Sequence, residues 1–140
     1  MKYPIMKIIA LAATFLVPGG SAYAETAESR VQSGIAKSQA GDPNGAVADF
    51  TRAIELDPKS VLAYRNRGVV RGTLGDYQGS AADETRAIEL DPTSPLSYYA
   101  RGLARDMLGD RKGAAEDFRQ SALRGDADAE KWLTDHGYSK

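Results

Sequence analysis

The residues able to do chemistry in this chain are few, and they recur. Arg67 and Arg101 each stand directly before a glycine, and Asp83 and Asp117 repeat further along in the same register. Two readings are open: arginines converging on an anion, or an Arg–Asp pair built into each unit. The second is favoured, because the planar guanidinium suits bidentate carboxylate pairing. Arg71 and Arg105 repeat likewise and are expected to lay their stems over neighbouring helices. His136 is the single imidazole, and there is no cysteine. Disulfides, thiolate metal sites, cysteine nucleophiles and multi-histidine centres are thereby excluded. Ser, Asp and Glu abound, but no G-x-S-x-G, S-x-x-K or H-E-x-x-H spacing occurs. Asp57 and Asp91 are periodic and read as loop residues. The chain is expected to be no enzyme and to need no cofactor.

The elements that would carry these residues follow a 34-residue period. Gly34, Gly68 and Gly102 keep it, as do the pairs Gly41-Asp42, Gly75-Asp76 and Gly109-Asp110. The segment Arg52 to Pro58 recurs as Arg86 to Pro92. Asp49, Asp83 and Asp117 share a register, and Phe50 is matched by Phe118. Such self-similarity marks a repeat architecture. Each unit reads as two antiparallel helices. Ser60 and Ser94 suit the N-cap of the first helix, with Pro95 at a favoured first-turn position. Gly41, Gly75 and Gly109 close it, and Asp42, Asp76 and Asp110 cap the second, with Pro43 just inside. Pro58 and Pro92 end the second helices. The predicted helices span 28–40, 44–56, 62–74, 78–90, 96–108 and 112–124. Gly68 and Gly102 in mid-helix cost roughly 1 kcal/mol each against alanine, which close packing of a partner helix would offset. Ala46, Ser80, Ala114, Ala53 and Ala87 are small positions where helices would approach.

This pattern resembles the tetratricopeptide repeat. The likeness rests on Tyr64, Gly68, Gly75-Asp76-Tyr77, Ala87 and Pro92 in the central unit. The third contributes Tyr98, Gly102, Gly109-Asp110, Ala114 and Phe118; the first contributes Gly34, Gly41-Asp42, Ala46, Phe50, Ala53 and Pro58. The resemblance implies an all-α solenoid of three helix-turn-helix units, over about 27–60, 61–94 and 95–126. The first unit departs from the pattern with Arg30 where the others carry Tyr64 and Tyr98. The third carries Asp126 in place of the terminal proline. Beyond it, Ala129, Trp132, Leu133 and His136 fall on one helical face. Terminal repeats need a cover, so a capping helix over about 127–136 is expected, with Trp132 its most buried residue.

The resemblance also implies a concave face, lined by the first helix of each pair, that receives a partner's polypeptide. Steps of three and four residues place Glu28, Val31, Ile35 and Ser38 there in the first unit. The second gives Leu62, Arg65, Val69 and Gly72, with Asn66 beside them; the third gives Leu96, Tyr99, Leu103 and Asp106, with Ala100 beside them. Tyr99 and Arg65 have the side chains most enriched at binding hot spots. The competing reading makes Val31, Ile35, Val69 and Leu103 core residues between helices. Some grooves of this family grip a C-terminal carboxylate with paired Lys, Asn and Arg. The matching positions are Val31, Ile35, Asn66, Leu96 and Ala100, and only Asn66 has that chemistry. The expected partner is therefore an apolar or amphipathic protein segment, with self-association through the same face as the alternative.

Length and charge agree with a small binding module. The 140 residues carry 18 basic and 19 acidic groups, 42% hydrophobic residues and 26% charged. That is one ordinary globular domain, without the cationic excess that nucleic-acid or anionic-membrane binding needs. The first 24 residues read as a secretory signal: Lys2 and Lys7, the apolar run Ile8 to Val17, the breakers Pro18-Gly19-Gly20, then Ala22-Tyr23-Ala24. The apolar run is about half the length of a spanning helix. Cleavage after Ala24 and export, to a bacterial periplasm or as a secreted protein, are the expectation, with no stable membrane insertion afterwards.

Overall fold

A computed structural model describes residues 24–138. The segment read above as a secretory signal lies outside these residues, apart from Ala24. Seven helices follow in order: α1 (Ala27–Gln39), α2 (Pro43–Leu56), α3 (Val61–Thr73), α4 (Tyr77–Leu90), α5 (Pro95–Met107), α6 (Arg111–Ala122) and α7 (Ala127–Asp135). They pack as three hairpins, α1/α2, α3/α4 and α5/α6, stacked in sequence, and α7 lies on α6. The first helices of successive hairpins also touch, α1 with α3 and α3 with α5.

Local signals set these boundaries. The side chains of Asp42, Asp76 and Asp110 accept from the backbone N–H of Gly45, Gly79 and Gly113, capping α2, α4 and α6. Ser60 caps α3 through Ala63, whereas Ser94 makes no side-chain cap to α5. Thr26 and Ser29 form a reciprocal capping box at α1. Gly75 takes φ +82°, a conformation costly for any residue with a Cβ.

The mid-helix glycines are where hairpins close. A Cβ added at Gly34 would stand 2.6 Å from the Phe50 ring, and one at Gly102 would stand 3.0 Å from Phe118. Close approach, not turn geometry, selects these glycines. Ala46, Ala53, Ala87 and Ala114 are completely buried, and Ser80 nearly so. One apolar cluster gathers Val31, Ala46, Phe50, Ala53, Ala63 and Val70. A second gathers Ala114, Ala115, Phe118, Ala129 and Leu133 beneath the capping helix.

Two expectations are corrected. Trp132 is not the most buried residue of α7: Ala129 and Leu133 are the buried ones. Trp132 is half-buried, its ring 4.2 Å from Phe118 and stacked on His136 and Tyr138. A large indole at the end of a stack has only one side to pack against. Val31 is not a groove residue but core, 1% exposed. It packs in the buried cluster with Ala46, Phe50, Ala53, Ala63 and Val70.

Candidate functional site

The recurring arginines and aspartates are structural. Arg67 donates through Nε and Nη2 to the two carboxylate oxygens of Asp83 at 2.9 and 2.7 Å. Arg101 holds Asp117 with the same two distances. Each guanidinium also donates backwards to the preceding hairpin, Arg67 to Thr51 at 3.0 Å and Arg101 to Thr85 at 3.1 Å. Arg71 and Arg105 complete the sets at 2.9 and 2.8 Å, so they bind carboxylates as well as cover helices. The first hairpin has Ser33 and Lys37 at the positions of Arg67 and Arg71 and adds Arg30 from the position of Tyr64; all three converge on Asp49. Burial works to raise the Asp49 carboxyl, but hydrogen bonds from Lys37, Ser33 and Arg30 bring it down to about 2. Every buried aspartate of this series is matched by cations of the fold. None of these sets is left open to a ligand anion.

The open surface lies along the first helices. A cavity of about 370 Å³ between α3 and α5 is lined by Val69, Gly72 and Thr73 on one side and Ala100, Leu103, Ala104 and Met107 on the other. Tyr77 and Ser80 of α4 form its floor. A smaller cavity of about 190 Å³ lies between α1 and α3, with Ile35, Ser38 and Gln39 facing Asn66, Val69 and Val70 over Phe50. Val69 borders both, so the two lie side by side along the first helices. No charged residue lines either cavity. Val69, Leu103 and Met107 are respectively 52%, 41% and 60% exposed, a high exposure for apolar side chains grouped together.

Of the expected groove residues, this arrangement unites Ile35, Ser38, Asn66, Val69, Gly72, Ala100 and Leu103. Leu62 and Leu96 are exposed but line neither cavity. Arg65 is half-buried and Asp106 lies 3.9 Å from Arg111, both away from the cavities. Tyr99 packs edge-on against Phe118, ring centroids 5.4 Å apart. Burial, then the charges of Asp128 and Asp126, raise its hydroxyl pKa. It therefore faces the start of the capping helix. In the larger cavity sequence reasoning missed Thr73, Ala104, Met107, Tyr77 and Ser80. The last two belong to a second helix, and the signal was the small residue at Ser80, which opens the floor between neighbouring first helices. Among the described residues no group of three or more His, Asp or Glu is placed to hold a metal ion.

A tetratricopeptide repeat family model matches residues 31–95. The Arabidopsis OM64 TPR domain is 31% identical, with a TM-score of 0.74, over 79% of this chain and 96% of that one. The second TPR of Spaghetti (RPAP3), solved bound to the HSP90 peptide SRMEEVD, is 29% identical, with a TM-score of 0.69, over 71% of this chain and 92% of that one. The Aspergillus fumigatus Sgt2 TPR domain is 25% identical, with a TM-score of 0.69, over 75% and 72%. No curated protein sequence matches the chain. The chain belongs to the tetratricopeptide repeat family.

Proposed function

We propose that this tetratricopeptide repeat protein is a non-catalytic adaptor that binds a protein or peptide segment in the groove along α1, α3 and α5. The observation that carries the reading is the uncharged lining of the α3–α5 cavity, with Val69, Leu103 and Met107 exposed. Burying those side chains would release about 25 cal/mol for each Å² of apolar surface. The Spaghetti domain is bound to an acidic peptide ending in Asp. Here neither cavity offers a Lys or Arg, and Asn66 stands alone where a carboxylate grip would need convergent cations. An apolar or amphipathic segment fits this lining better than an acidic tail.

Tyr99 and Arg65 lose weight as anchors, since Tyr99 supports the cap and Arg65 stands outside both cavities. The test is affinity capture from a native extract with residues 25–140 and with the Val69→Asp/Leu103→Asp variant. Both positions are exposed, so the variant is expected to keep its helicity by circular dichroism and to lose the partner. Retention of the same partners by a folded variant overturns the groove assignment. Light scattering separates the alternative, in which the same face joins copies of this chain: a concentration-dependent rise in mass, abolished by the variant, would favour it.

Export belongs to the same proposal. Its support is the basic, apolar and small-residue order of residues 1–24, together with the anchoring of Glu25 by Arg30 and Arg52 at 2.6 and 2.9 Å. Glu25, the residue after the expected cleavage point, is thus tied to α1 and α2. N-terminal sequencing of exported material is expected to begin at Glu25; a retained Met1 would overturn it.

A further inference from the structure

Glu84 of α4 occupies the position that Phe50 holds on α2 and Phe118 on α6. Its side chain is completely buried, and neither carboxylate oxygen has a hydrogen-bond partner. Ser97 of α5, also completely buried, has an unpartnered hydroxyl. Gly68 of α3 presses on the same place: a Cβ there would stand 2.9 Å from Glu84 Oε1. Two helices, α3 and α5, therefore close over this carboxyl of α4 at the seam between the second and third hairpins. A carboxylate shut away without a hydrogen-bond partner loses more in hydration than its surroundings return, so the favoured state keeps the proton.

No surrounding charge pairs with it. Asp83 on α4 is engaged by Arg67 and Arg71 of α3. On α5, Arg101 is engaged by Asp117, and buried Tyr98 adds no cation. Arg65 of α3 makes no ion pair among the described residues, and its charge reaches Glu84 only at a distance. Burial pushes the Glu84 carboxyl up to about 8. The neighbouring Ser97 hydroxyl, whose geometry falls short of a hydrogen bond, opposes this, as do Arg65 and Arg101, while Asp83 adds to it.

We propose that Glu84 is a proton-operated latch between the second and third hairpins: protonated, it fills the place of a core phenylalanine and holds α4 to α5. Ionised, it leaves the seam for solvent and Arg65, and the wall of the α3–α5 cavity loosens. The latch does not depend on what binds the groove. The linkage has a definite sign. The folded chain holds a proton that the unfolded chain releases above its ordinary value of 4.5. The contribution to stability is complete below 4.5 and is lost as pH rises toward 8, up to tenfold in the folding constant per pH unit.

The test is a ¹³C NMR titration of the Glu84 carboxyl in the full chain, paired with amide exchange along α4 and α5. The carboxyl is expected to titrate above pH 7, while exposed carboxyls titrate below 5. Seam exchange, corrected for intrinsic pH dependence, is expected to rise at least tenfold between pH 6.5 and 9. Glu84→Gln and Glu84→Phe are each expected to abolish that rise. A Glu84 midpoint below pH 5, or seam opening that is independent of pH or persists in a folded variant, overturns the proposal. If neither variant folds, the titration of the unaltered chain decides alone.

Discussion

Asp117→Asn is expected to destabilise the protein by about 3 kcal/mol, the lower end of the range for breaking a buried ion pair from one side. Asp117 is 2% exposed, and it is met by Arg101, 14% exposed, and Arg105, 31% exposed. Asparagine keeps the shape but removes the charge and turns an amide N–H₂ toward guanidinium donors. Arg101 is then left desolvated, while Arg105 can recover water, which holds the loss to the lower end. For a domain of this size that corresponds to a fall in Tm of about 12 °C. The assay is thermal and urea unfolding by circular dichroism, with Glu89→Gln as the control. Glu89 pairs with Arg86 on the surface, both side chains about half exposed, and its loss is expected to leave Tm almost unchanged. The double variant Arg101→Met/Asp117→Leu is expected to recover much of the lost stability, because no buried charge is left unpaired and the partly exposed Arg105 can recover water. If Asp117→Asn costs no more than Glu89→Gln, the arginine-centred set is not what holds α5 to α6.

Glycine replacements should separate packing from backbone conformation. Gly34→Ala is expected to cost about 2 kcal/mol by crowding Phe50, and Gly75→Ala about 1 kcal/mol through its positive φ alone; urea midpoints would rank them, and equal losses would refute the distinction. Acid should weaken the first hairpin through Asp49. Its depressed carboxyl contributes stability above pH 3.8 that is lost as pH falls toward 2, so Asp49→Asn is expected to remove that part of the acid dependence of Tm. Leu133→Ala is expected to cost about 2 kcal/mol and to free the capping helix, read as a red shift of Trp132 fluorescence before the global transition. A single coincident transition would show that the cap does not open separately.

The repeat, the helix order and the turns were legible in the sequence because they depend on local chemistry. A capping aspartate, a glycine of positive φ and a proline after the last turn act within a few residues of themselves. The mid-helix glycines Gly68 and Gly102 were legible too, since their cost demanded a close neighbour, and Glu84 and Phe118 supply it. The Arg–Asp pairs followed from their shared period. Only the tertiary structure decided the facing of each helix. A three-and-four spacing fixes a stripe but not the direction in which it points, so Val31 went to the core while Val69 and Leu103 stayed exposed. Tyr99 turned toward the cap for the same reason: the last hairpin packs against α7 and not against another repeat. The groove floor at Tyr77 and Ser80 arises only when two hairpins meet. Burial of Glu84 is of this kind as well. Within its own helix it is an unremarkable acid, and it becomes a desolvated one because α3 and α5 close over it from sequence positions on either side.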